Sequence, residues 1–107
     1  MVQRDYLMRM IEQFVQAIAR ILGLAKDGRL EEAKTELDAA YAKLGISRSM
    51  IERLDAASLR LLLGEDKLRI VAMLFGAEAK LLRLEGKEQA AHSLDERARE
   101  IGGAAGG

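Results

Sequence analysis

The 107-residue chain carries 17 basic and 17 acidic side chains and no net charge, so no overall field draws it to phosphate backbones or anionic lipid. It holds no cysteine, which excludes disulfides, thiolate chemistry and cysteine-ligated metal. Half of its residues are hydrophobic, enough for one modest core, and the lack of proline beside abundant Ala, Leu, Glu, Arg and Lys predicts an all-α fold.

Helix one is expected from about Asp5 to Ala25. Its polar positions, Asp5, Arg9, Glu12, Gln13, Gln16 and Arg20, fit within an arc of about 100°. Nearly everything else is apolar, including Tyr6, Leu7, Met8, Met10, Ile11, Phe14, Val15, Ile18, Ile21, Leu22 and Leu24. A surface helix carries an apolar stripe of little more than about 100°. This helix therefore needs cover on most sides, from its own chain or from a second copy.

The turn Lys26-Asp27-Gly28 ends helix one, and helix two follows over about Arg29 to Leu44. Leu30, Ala33, Leu37, Ala40, Tyr41 and Leu44 give it a one-sided stripe, and Gly45 closes it. A short helix starts at Ser47 or Ser49, where Ser49 and Glu52 have capping-box spacing. Asp55 reads as the N-cap of another short helix, holding Leu59, Leu61, Leu62 and Leu63 and stopped by Gly64. Asp66 is expected to cap the fifth helix, which runs to Glu85. There Leu68, Val71, Phe75, Ala79 and Leu82 form one stripe, and Ile70, Met73, Leu74, Ala77, Leu81 and Leu84 a second. Two stripes on one helix predict a position between neighbours, in the middle of the domain. A sixth helix covers Lys87 to Ile101, with Ala91, Leu94, Ala98 and Ile101 on one face. Residues 1–101 thus read as one helical domain, and the Gly/Ala tail at 102–107 as disordered, having little to bury.

A shift of 58 residues aligns two helical hairpins: Leu24, Gly28, Ala33 and Ala40 fall on Leu82, Gly86, Ala91 and Ala98. Glycine makes the interhelix turn, and the alanines let the second helix approach the first closely. The segments Gly28-Arg29-Leu30-Glu31-Glu32-Ala33 and Gly86-Lys87-Glu88-Gln89-Ala90-Ala91 resemble the tetratricopeptide helix-turn-helix. The resemblance implies two such hairpins joined by a short helical pair. The opening Asp5-Tyr6-Leu7-Met8-Arg9-Met10-Ile11-Glu12 also resembles the start of an uncharacterised bacterial family of small all-helical proteins, which supports the fold and implies no activity.

The hairpin alignment points Ala17, Ile21 and Leu24 of helix one toward helix two. Met8, Ile11, Val15, Ile18 and Leu22 then lie on a different side, as the candidate interface. Burying several such side chains at roughly 1.5–3 kcal/mol each supplies on the order of 10 kcal/mol, comparable with the about 4–15 kcal/mol that association costs. A homodimer is therefore within energetic reach, the alternative being packing against the two short helices.

Sites of chemistry are sparse. His92 is the only histidine, with Glu88 a turn before it and Glu96 a turn after. A di-metal bundle site needs Glu-x-x-His on two helices, and the chain has neither that spacing nor a second histidine, so a solvated histidine is expected and no metal. Ser47, Ser49, Ser58 and Ser93 sit where capping or solvation accounts for them. No glycine-rich loop exists to hold phosphates, so no cofactor is expected. Asp5, Arg9 and Glu12 are spaced as exposed helical ion pairs. Arg48, Arg53, Arg60, Lys67 and Arg69 give the middle a positive bias, but Glu52, Asp55, Glu65 and Asp66 interrupt it, so no nucleic-acid partner is expected. The longest apolar stretch, Ile70 to Gly76, is too short to span a bilayer. With no recognisable secretion signal, the expected setting is the cytoplasm, with no membrane partner.

The resulting expectation is a non-catalytic protein-protein interaction or assembly module that self-associates through helix one. The alternative is a module that binds a small apolar ligand or peptide in a groove between helices one and five. Met8, Met10, Met50 and Met73 are candidates to line such a groove, since methionine adapts to irregular partners.

Overall fold

The computed structural model describes residues 2–106, and the side-chain surroundings of residues 5–102. In chain order the helices are α1 (Val2–Lys26), α2 (Leu30–Ala42), α3 (Arg48–Arg53), α4 (Ala56–Leu84) and α5 (Glu88–Gly106). No strand occurs among the described residues, so the fold is all-α.

The two expected hairpins share one turn chemistry. At the end of α1 the Arg29 N–H donates to the Leu24 carbonyl at 2.9 Å, and the Gly28 N–H to Ala25 at 3.0 Å. At the end of α4 the Lys87 N–H donates to Leu82 at 2.8 Å, and the Gly86 N–H to Arg83 at 3.0 Å. Each is a Schellman closure, with glycine at φ 81° where a side chain would be strained. Ala33 and Ala91, five residues past their glycines, are both fully buried. Their missing bulk is what allows each second helix to close on the first.

α4 keeps the two helices into which the sequence divides it, as two arms that meet at Gly64. Asp55 caps its start by accepting the Ser58 N–H at 2.7 Å. Gly64 then sits at φ 82°, ψ 166°, outside the helical region, and separates the helical arm 56–63 from the arm 65–84, as the sequence expects. Asp66 lies inside the second arm, where it pairs with Arg69 at 3.9 Å, rather than at its N-cap. Ser47, not Ser49, caps α3, accepting from the Met50 N–H at 3.2 Å.

The long arm of α4 is the middle of the molecule, touching α1, α2 and α5. Leu68, Val71, Phe75 and Ala79 are buried from one stripe, and Ile70, Leu74, Ala77 and Leu81 from the other. Phe14 and Ile21 of α1, Leu37 and Tyr41 of α2, Ile51 of α3, Leu59 of α4 and Ile101 of α5 complete a continuous core. Arg97 fastens α5 to the end of α3 by donating to the Ile51 carbonyl at 2.8 Å and to that of Leu54. Not every leucine joins the core: Leu61 is 89% exposed, and Leu62 is exposed as well. α5 runs on to Gly106, but the side chains beyond Gly102, and Gly107 altogether, lie outside the described residues, so the expected disorder of the tail falls largely there.

Candidate functional site

α1 is 25 residues long and α2 only 13, so at about 1.5 Å per residue one helix cannot cover the length of the other. Against the core, α1 presents Phe14, Ile21 and Ala25, all buried. Toward α2 it presents Met10, Gln13 and Ala17, which line a cleft with Ala40 and Lys43. The remaining apolar side is the flank Met8, Ile11, Val15, Ile18 and Leu22.

The structure gathers these five residues into one row with graded cover. Ile11 and Ile18 are partly buried against the core, and Leu22 is partly buried. Met8 is 55% exposed and Val15 45% exposed. Successive members are three or four residues apart, so they stay on one line along the helix. Own-chain packing thus leaves the outer half of the row uncovered.

Beside this row runs a groove between α1 and the long arm of α4. Ile18 and Leu22 form one wall, and Met73, Gly76 and Ala77 the other. The groove continues along Leu22 and Ala25 to Leu84, which is 58% exposed. Lys80 and Arg83 rim it. Arg83 is engaged with Asp95 at 2.6 Å and Glu88 at 3.0 Å, whereas Lys80 has no ion pair among the described residues. The groove expected between helices one and five therefore exists as an apolar channel with a basic edge. The methionines do not share it: Met73 lines it, Met10 lies in the α1–α2 cleft, and Met50 is on α3.

The other candidates are dispersed. His92 is exposed and lies 2.6 Å from Glu96, while Glu88 turns to Arg83 instead. No group of three potential metal-ligating side chains converges among the described residues. Asp5, Arg9 and Glu12 are all exposed. The arginines of the mid-chain go separate ways: Arg60 to Glu65 at 2.7 Å, Arg69 to Asp66, and Arg48 inward.

That inward arginine belongs to a polar cluster the sequence does not reveal. The Tyr41 hydroxyl donates to Glu78 Oε1 at 2.8 Å, and Arg48 binds both Glu78 and, at 2.8 Å, Asp38. The Arg48 guanidinium also stacks 4.5 Å from the centre of the Tyr41 ring. Burial, reinforced by the Glu78 charge, drives the Tyr41 hydroxyl far above its usual range, so it stays a donor. Nearby, Lys34 of α2 pairs with Glu85 at the end of α4. Every charge here has a partner within the chain, which makes the cluster a clasp between α2 and α4. Its only sequence signal is a tyrosine in an otherwise aliphatic stripe, since a buried tyrosine hydroxyl needs a hydrogen-bond partner.

A protein-family model described as "Family of unknown function (DUF6483)" matches residues 1–101. No curated protein and no solved structure matches the chain.

Proposed function

The chain belongs to this family of unknown function, DUF6483, and from that premise we propose that it is a non-catalytic assembly module that self-associates through the outer flank of α1. The observation that carries the proposal is the row Met8, Ile11, Val15, Ile18 and Leu22, whose outer members stand uncovered beside an apolar groove. Exposed apolar side chains that are scattered singly need no explanation, but a contiguous row flanked by polar residues marks an interaction surface. The matched glycine turns and buried alanines support reading the two hairpins as tetratricopeptide-like. No helix among the described residues is long and apolar enough to cross a membrane, which is compatible with the cytoplasmic setting proposed here.

Because Val15 is exposed in the single chain, Val15→Glu is expected to leave the fold intact and abolish association. Size-exclusion chromatography with light scattering reads the mass, and circular dichroism reads the helices. A folded monomer supports the proposal. An unchanged dimer, or a parent chain that is itself monomeric at high concentration, overturns it. The second reading, a small apolar ligand or peptide in the α1–α4 groove, predicts a monomeric parent chain and binding lost on Leu22→Asp.

A further inference from the structure

We infer that two copies of this chain pair through antiparallel α1 helices, the acidic end of each flank lying on the basic end of the other. The inference rests on the self-association proposed above and specifies its geometry. The row Met8, Ile11, Val15, Ile18 and Leu22 advances in alternating steps of three and four residues, the repeat of a helix pairing with another helix. On its inner side Phe14 and Ile21 are buried in the chain's own core. On its outer side Asp5, Glu12, Ala19 and Lys26 form a second row, at seven-residue intervals, and all four are exposed.

The outer row decides the direction. It begins with two carboxylates and ends in an ammonium, and Lys80 of α4 stands on the groove rim beside Leu22 at that same basic end. In a parallel two-fold pair the outer row of one copy would instead lie against the inner side of the other, where Phe14 and Ile21 are already buried in their own core. Parallel pairing therefore leaves Asp5, Glu12 and Lys26 without partners across the seam. Rotating one copy by half a turn about an axis near Val15 and Ile18 sets Asp5 opposite Lys26 of the other copy, twice over. Glu12 then meets Ala19, whose small side chain leaves its carboxylate in water. The rotation also carries Met8 of each copy onto the Leu22 end of the other, at the mouth of the groove that runs to Leu84. A surface with opposite charges at its two ends is complementary to itself under a two-fold rotation, so the fitting occupant is a second copy. Such an interface closes on itself and stops at the dimer. Arg4 precedes the row, and its side chain lies outside those described.

The chain has no cysteine, so Asp27→Cys in the turn after α1 gives a single site for a nitroxide label. In the antiparallel dimer about twenty residues of helix rise separate the two labels, and pulsed electron resonance should read about 30 Å or more. Parallel pairing would hold them at about 10 Å, the spacing of packed helices. Charge exchange gives a second readout. Asp5→Lys and Lys26→Asp should each weaken the dimer, on the order of tenfold for two inverted pairs, and the double variant should regain most of the loss. Circular dichroism checks that α1 keeps its helix in every variant. Labels close together, or a double variant no tighter than the singles, overturn the antiparallel arrangement while self-association stands. A monomer at every concentration overturns both.

Discussion

At the scale of single residues, what the sequence reveals depends on how far apart the partners are. Asp55 is legible as a cap because its acceptor oxygen meets a backbone N–H three residues on. The Tyr41–Glu78 bond spans 37 residues, and no local pattern announces it. Removing that hydroxyl in Tyr41→Phe should cost about 1–2 kcal/mol in urea unfolding with an unchanged slope, because Glu78 keeps Arg48 and is not left orphaned. Two carboxylates also make stability depend on pH. The Ser58 N–H holds Asp55 below its ordinary 3.8, and Lys34 holds Glu85 below its ordinary 4.5. Both are depressed in the folded state, so their stabilisation is complete above those ordinary values and is lost as pH falls through the folded ones. Thermal melting followed by circular dichroism should therefore drop below about pH 4, and drop less in the Asp55→Asn, Glu85→Gln double variant.

At the scale of elements, the periodic signals are the dependable ones. The stripe of α2 and the double stripe of α4 predict their buried faces, and the 58-residue shift anticipates turns that match hydrogen bond for hydrogen bond. Runs without a period mislead. Leu61, Leu62 and Leu63 read equally well as core, yet Leu61 faces solvent, because consecutive residues point to different sides of a helix and only Leu59 is fully enclosed. Glycine at position 64 marks an interruption, and the backbone does leave the helical region there. Its φ of 82° with ψ of 166° belongs to a region open essentially to glycine alone. Gly64→Ala should accordingly destabilise the fold by about 1–3 kcal/mol, although open space surrounds the new methyl group. Equilibrium denaturation measures this; an unchanged midpoint would mean that α4 can straighten without loss.

For the whole molecule, the decisive feature is that the apolar surplus of α1 exceeds what its own chain encloses. The sequence shows that surplus plainly, because six polar residues leave most of the helix circumference to hydrocarbon. It does not show how the surplus divides, since that depends on α2 being half as long as α1 and on the path of α4. The structure makes the division: Phe14, Ile21 and Ala25 go to the core, Ile11 and Ile18 to its margin, Leu22 to partial burial, and Met8 and Val15 to the surface. Reading that remainder as a contact between copies unites the exposed row, the adjoining groove and the opposed charges at the ends of α1. Sedimentation equilibrium of the unaltered chain over a wide concentration range tests this reading most directly. Self-association through α1 predicts a mass rising to twice the 11.8 kDa of the single chain, and a species fixed at 11.8 kDa even at hundreds of micromolar would rule it out.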